Sequence, residues 1–267
     1  EEIDAFYFVT CESHLKADVI ALSALVGTEY REYVHSTQDS NAYATTYAAA
    51  IAGTPDTAAA LVSASTARVA GIYHQDADTA FPECRFIGIN AAYSPDSSAA
   101  TWGNQVISGI TASTQSAGLP LTGAQRTNLE DRNLTYVVNG TLYPTVAPTN
   151  SNIIVGGANH NGEWVDEVRT NDCIRARATE ALTLLMINQT GGRLAGGNAG
   201  KAAIGGAISA AMNPFVTYGS IDSYTVSTKN STFDAATRTL SGVEVVYTHA
   251  GAIHKVIVSA TAQAQGE

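Results

Sequence analysis

Three features of the sequence predict an α/β chain, α+β overall. Strand-like and helix-like pieces alternate over the first hundred residues, one long helical period runs near residues 163–189, and the chain closes on strands. The expected layout is an N-terminal βαβ-type sheet with helices, then the long helix, a second helix and a C-terminal β-hairpin sheet. At 267 residues the chain can bury one large core or two ordinary ones. The expected division is 1–121 and 122–267, with the terminal hairpin at 242–262.

"AFYFVT" (5–10) is apolar on both faces and reads as a central buried strand. "KADVIALSALV" (16–26) sets Val19, Leu22 and Val26 at helical spacing. "EYVHST" (32–37) reads as a short strand. "PDTAAALVSASTA" (55–67) has Pro and Asp at its entrance and reads as a helix. "RVAGIYH" (68–74) and "RFIGINAAY" (85–93) read as further strands, completing a βαβαβ order. Residues 94–121 form a loop-rich excursion with Trp102 as its anchor. In "TGAQRTNLEDRN", Thr122 and Gln125 have capping-box spacing for a helix. "LTYVV" and "TLYPTV" flank Asn139-Gly140, a hairpin signal.

"GEWVDEVRTNDCIRARATEALTLLMINQ" carries no glycine or proline after its first residue. A helix over 163–189 is about 40 Å long, enough to span a domain. Trp164, Val165, Val168, Ile174, Ala178, Leu182, Leu185 and Met186 share a broad apolar face, opposite a solvated flank of Asp166, Arg169, Arg177 and Glu180. "LTLLMIN" is apolar nearly all round, so this end is expected to be enclosed. Arg175 falls within the apolar arc, with Asp172 one turn before it and Glu167 at the edge. Either Arg175 snorkels or pairs with Asp172 inside the chain, or it completes an ion pair across a subunit contact.

A glycine-containing connector follows, then a helix with Ile204, Ile208, Met212 and Phe215 on one side. "SYTVST" (223–228), "GVEVVYT" (242–248) and "AIHKVIVSATA" (252–262) read as strands. The tight link at 249–251 makes the last two a hairpin, whose edge could accept a strand from another chain.

Composition excludes several functions. The net charge of −10 argues against a general nucleic-acid binder, which needs clustered Lys and Arg. Cys11, Cys84 and Cys173 are too few and scattered for a disulfide framework. No apolar run reaches the roughly 20 residues of a membrane helix. The chain starts without Met almost directly in a strand, and a preceding segment is expected.

Catalytic and ligand motifs are scarce. "GGRLAGGNAGKAA" has Ala195 and Ala202 where a phosphate loop needs Gly and Ser or Thr. No HExxH or GxSxG occurs. His249 and His254 flank a turn but lack a nearby carboxylate, a poor metal site. His74, Asp76 and Asp78 follow a parallel strand, where α/β proteins place ligand sites, so they are the enzyme candidates on topology; a solvated polar loop is the simpler reading. Sequons at Asn133, Asn139, Asn188 and Asn230 carry little weight without a secretory signal. No cofactor is expected.

The order of "GEWVDEVRTNDCIRARATEALTLLMIN", the connector, "AIGGAISAAMNPFVTYGSIDSYTVST" and "RTLSGVEVVYTHAGAIHKVIVSATA" resembles the C-terminal region of bacteriophage contractile tail sheath proteins, in particular a sheath-like family closing on a "GAIHKV" hairpin. "AGIYHQDADTAFPECRFIGINAAYSPDSSAATW" and "LTGAQRTNLEDRN" are compatible with it. The resemblance implies a non-enzymatic subunit, assembled as stacked hexameric rings around a tail tube, that contracts to drive the tube through the host envelope. It implies as partners other copies, the tube protein, and baseplate and terminator proteins, with no nucleic acid and no membrane insertion. It places the protein in the virion tail, after assembly in the host cytoplasm. Strand addition at Val243, Val245, Tyr247, Ile253, Lys255 and Ile257, and charge contacts at Glu167, Asp172 and Arg175, are the expected subunit interfaces. The alternatives are a non-contractile virion or tail structural protein, and an α/β enzyme using the 74–78 loop.

Overall fold

The computed structural model describes residues 7–27, 30–98, 100–141, 150–189 and 194–251. Four parallel strands, β1 (Phe8–Val9), β2 (Glu32–Thr37), β3 (Val69–Tyr73) and β5 (Leu134–Thr141), form one side of a six-stranded sheet. β6 (Asn150–Val155) and β4 (Val106–Ile107) continue it antiparallel, giving the order β1-β2-β3-β5-β6-β4. β5 and β6 lie beyond residue 121, the expected domain boundary, and complete the same sheet.

β3 is buried at every position, as expected of a strand covered on both faces. Ala70 and Ile72 meet Phe86, Trp102, Val137 and Ile154 on one face. Tyr73 joins Tyr43, Leu129 and Leu134 on the other, while Val69 packs with Val19, Val26 and Leu61. Those last three belong to the helices α1 (Lys16–Val26) and α4 (Thr57–Ser63), between which lie the short α2 (Asn41–Ala44) and α3 (Tyr47–Ala52). The bounds of α1 and β2 are those the sequence predicts, and the expected capping box of Thr122 and Gln125 opens α7 (Gly123–Glu130). Trp102 anchors the excursion, 1% exposed.

An ion pair lies deeper still. Arg132 Nε donates to Asp56 Oδ2 at 2.9 Å, with both side chains essentially inaccessible. Asp56 Oδ1 also caps α4, accepting from the Ala59 N–H at 2.9 Å. Arg132 Nη1 donates to the Asn128 carbonyl, so the pair pins the start of α4 to the end of α7.

Three expectations are corrected. β1 is an edge strand, paired with β2 alone among the described residues. Residues 85–93 lie mostly in the helix α6 (Pro82–Ala91) rather than in a strand. Pro82 presets its first turn, and Phe81, in the left-handed region at φ 44°, breaks the chain between it and α5 (Ala77–Ala80). Asn139-Gly140 is strand interior, paired with Asn152 and Ser151. The partner of β5 is therefore β6, and this register sets buried Val137 opposite buried Ile154. Most of "TLYPTV" falls outside the described residues.

The second half is built on α8 (Val165–Asn188) and α9 (Asn198–Thr217), which pack together. β7 (Ile221–Ser227) and β10 (Glu244–His249) pair antiparallel, and β8 (Thr232–Asp234) with β9 (Thr239–Ser241) form a small hairpin between them in sequence. Ile174, Ile208, Met212, Phe215 and Ile221 make the core of this half. Three of the four residues expected on the inner side of α9, Ile208, Met212 and Phe215, are buried, and Ile204 packs against them. A Cβ on Gly200 would lie 1.7 Å from the Ala195 carbonyl oxygen, so only glycine lets the connector fold over the start of α9.

α8 departs from its wheel at both ends. Its charged flank is solvated at Arg177 and Glu180, 47% and 51% exposed, and partly buried at Asp166 and Arg169, and both arginines also hold the first half of the chain. Arg169 Nη1 donates to the Asn90 carbonyl at 2.6 Å, and Arg177 Nε donates to Asp96 Oδ2 at 2.6 Å. Among the described residues its last turns are not enclosed: Leu184, Met186 and Ile187 are 50%, 51% and 69% exposed.

Candidate functional site

Chemistry concentrates where the two halves meet. Arg68, which enters β3, stands at φ 59°, a left-handed conformation uncommon for a side-chain-bearing residue. From there its guanidinium forks onto Asp172 of α8, with Nη2 2.7 Å from Oδ1 and Nη1 in contact with Oδ2. The Tyr7 hydroxyl donates to the same Oδ2 at 2.8 Å. Glu32 of β2 lies alongside, fully buried, and neither carboxylate oxygen makes a close hydrogen bond among the described residues. Burial raises its pKa well above the usual carboxylate range, against the pull of Arg68, which favours the neutral acid. Burial and the nearby Glu32 likewise raise Tyr7, which keeps its proton and remains a donor.

The charged residues expected at a subunit contact therefore separate. Asp172 is engaged inside the chain, but by Arg68 and not by Arg175. The Arg175 guanidinium instead lies over the Tyr30 ring at 3.9 Å, a cation–π contact. Glu167 lines a cleft of about 250 Å³ shared with Trp102, Asp166, Arg169, Ser220 and His249, at the point where the described chain ends. A sequence wheel could not find Arg68, because its partner lies 104 residues away.

Of the strand-addition residues, Val243, Val245 and Tyr247 turn inward onto the core of the second half. The Tyr247 hydroxyl donates to Asn171 Oδ1 at 2.6 Å, fastening β10 to α8. β10 pairs β7 along one edge, and its other edge pairs no strand among the described residues. Ile253, Lys255 and Ile257, with the second strand of the expected terminal hairpin and His254, lie outside the described residues.

The topological enzyme candidates do not converge. His74 is 1% exposed, its Nδ1 accepts from the Asp76 N–H at 3.2 Å, and its Nε2 lies 3.3 Å from the Thr111 carbonyl. Burial lowers its pKa, leaving it neutral. Asp78 turns away to His14 Nδ1 at 2.7 Å. Ser36 Oγ stands 3.1 Å from His14 Nε2, so serine, imidazole and carboxylate fall in triad order. It is not a nucleophilic site: Ser36 is 1% exposed, and Glu83 Oε1 competes for the same Nε2 at 3.2 Å.

His35 and His160 form a second buried pair, with their Nε2 atoms 2.9 Å apart. His160 Nδ1 donates to the Arg132 carbonyl at 3.1 Å, so its Nε2 must accept and His35 Nε2 must carry the proton. Burial lowers both pKa values, that of His160 to about 4. Gly71 makes room for them, since a Cβ there would lie 2.8 Å from His160 Nε2. Among the described residues no group of three or more His, Cys, Asp or Glu could hold a metal ion, and no helix is long and apolar enough to cross a membrane.

No family model matches the sequence, and no curated protein matches it. The fold does match. A chain of the cryo-EM structure of the anti-feeding prophage (AFP) baseplate, six-fold symmetrised, superposes with a TM-score of 0.62 at 12% identity. The match covers 98% of this chain and 70% of that one, so both halves of the present fold recur there together.

Proposed function

We propose that this protein is a structural subunit of a phage-like contractile particle and transforms no substrate. The observation that carries the proposal is the fold shared with a prophage baseplate chain over 98% of the present sequence. The interior supports it. The polar groups at the strand ends are engaged with one another, and the Arg68–Asp172 and Arg177–Asp96 ion pairs fasten one half of the chain to the other.

Within that class we propose a tail sheath subunit, stacked in hexameric rings around a tube protein and contracting to drive the tube through the host envelope. β10 suits a load-bearing role, since its inward side chains bind it to α8. Among the described residues its other backbone edge pairs no strand, which leaves the C-terminal ribbon as the recipient for a neighbour's strand. Backbone pairing of that kind persists while subunits tilt, whereas side-chain contacts change register. The particle tail is the implied location, with baseplate and terminator proteins as further partners.

A non-contractile ring component of the baseplate is the second reading, favoured by the origin of the matching chain. Negative-stain microscopy of the purified full-length protein with its tube protein separates the two. Tubes in a long and a short helical form support the sheath, and single rings of one form support the baseplate component. Discrete monomers with a ligand bound at residues 74–78 would exclude both.

A further inference from the structure

α8 belongs to both cores. Val165 in its first turn lies in the core of the first half, and Ile174 lies in the core of the second. Two lines of polar contact hold the helix between them. Along one, Arg169 donates to the Asn90 and Ala91 carbonyls, Arg177 pairs with Asp96, and the Ser220 hydroxyl donates to the Pro95 carbonyl. Along the other, Arg68 and Tyr7 hold Asp172. Asp172 and Arg177 stand roughly 140° apart around the helix, so the two lines grip different sides.

The second line has one cation for two carboxylates. Glu32 and Arg68 are neighbours across β2 and β3, where the Tyr33 N–H donates to the Arg68 carbonyl at 2.9 Å. Among the described residues, the charged and titratable groups facing Glu32 are Arg68 at the entrance of β3, Asp172 of α8, Tyr7 before β1 and Glu163 before α8. The Asn159 amide lies beside them. Arg68 is the one cation in that set. Its guanidinium forks onto Asp172 and leaves the buried Glu32 carboxyl without a close hydrogen bond.

The two acids differ in what they do without Arg68. Glu32 is fixed within the sheet at 0% exposure, so its anion depends on that one guanidinium. Asp172 stands at the margin of the seam, 11% exposed, with Arg169 three residues before it and Arg175 three residues after it on the same helix. An ionised Glu32 therefore takes the guanidinium, and Asp172 is the partner that gives way.

We propose that Arg68 is a two-position latch between the halves. With the proton on Glu32, the guanidinium holds Asp172 and α8 is closed on the sheet. When that proton passes to solvent, the guanidinium turns to Glu32, and α8 tilts about Val165 and the contacts at residues 90–96. The left-handed backbone of Arg68 is an uncommon conformation held at the junction that switches. Both positions belong to a single chain, so the latch is independent of how copies assemble.

The test uses the dilute full chain with Cys11, Cys84 and Cys173 replaced by alanine and spin labels on Ser63→Cys of α4 and Thr183→Cys of α8, both exposed positions. Pulsed electron resonance reads the distance between labels from pH 6 to 9.5, with circular dichroism at each pH. The expected result is one distance at pH 6 and a second that gains population as pH rises and vanishes on return to pH 6. A Glu32→Gln variant should keep the first distance throughout, and an Asp172→Asn variant should show the second already at pH 6. A single unchanged distance in the labelled chain overturns the latch, as does the same shift in the Glu32→Gln variant. Loss of the helical signal alongside the shift also overturns it, because the chain then unfolds and does not switch. Should Asp172→Asn fail to fold, the comparison with Glu32→Gln decides alone.

Discussion

Arg68 and Asp172, 104 residues apart, meet in a forked ion pair that holds α8 against the parallel sheet. The Tyr7 hydroxyl completes the Asp172 carboxylate, and the neutral Glu32 sits beside them without a competing charge. Replacing Asp172 with alanine leaves Arg68 half-buried without its acceptor. The expected loss is about 2 kcal/mol, by the scale of charge-assisted hydrogen bonds. Urea unfolding should show a lower midpoint with an unchanged slope.

The Arg132–Asp56 pair is more deeply placed, so cutting it costs more. The Arg132→Ala variant strands a buried carboxylate and should lose about 3–5 kcal/mol. Thermal melts measure this directly. The Arg132→Ala/Asp56→Ala double variant should recover part of the loss, because no unpaired charge remains.

His35 and His160 make the fold sensitive to acid. Both have folded pKa values below the ordinary histidine value of 6.5, so the unfolded chain binds more protons as pH falls. Their contribution is fully present above pH 6.5 and lost as pH drops toward about 4, the His160 value. Urea midpoints measured between pH 7.5 and 5 should decline, and a His160→Asn variant should flatten the decline.

Glu32 works with the opposite sign. Its folded pKa is raised from an ordinary 4.5, so its contribution is present below that value and lost as pH rises through the folded pKa. Relative to the natural chain, a Glu32→Gln variant should gain stability steadily from pH 5 to pH 8. A difference that stays constant across that range would show Glu32 ionised in the fold.

Much of the architecture was legible in the sequence wherever local chemistry decides it. The bounds of α1 and β2, the Thr122–Gln125 capping box and the inner face of α9 follow from spacing and capping. Residues 85–93 misled because a short apolar run fits a strand or a buried helix equally, and Pro82 was the deciding signal. Asn139-Gly140 misled because its turn preference is small beside the register that buries Val137 against Ile154. The candidate site was the least legible part. Arg68, Glu32 and the His35–His160 pair acquire their roles from contacts more than a hundred residues away or from burial that no local pattern encodes. The apolar end of α8 predicts enclosure yet is half exposed, because apolarity specifies that a surface is covered, and not by which chain.

The most direct measurement is a cryo-EM map of assembled particles at a resolution that separates strands. The C-terminal ribbon that includes β10 should carry a strand donated by a neighbouring copy, in both a long and a short helical lattice. A ribbon capped wholly within its own protomer, in a particle with one fixed lattice or none, would contradict the proposed function.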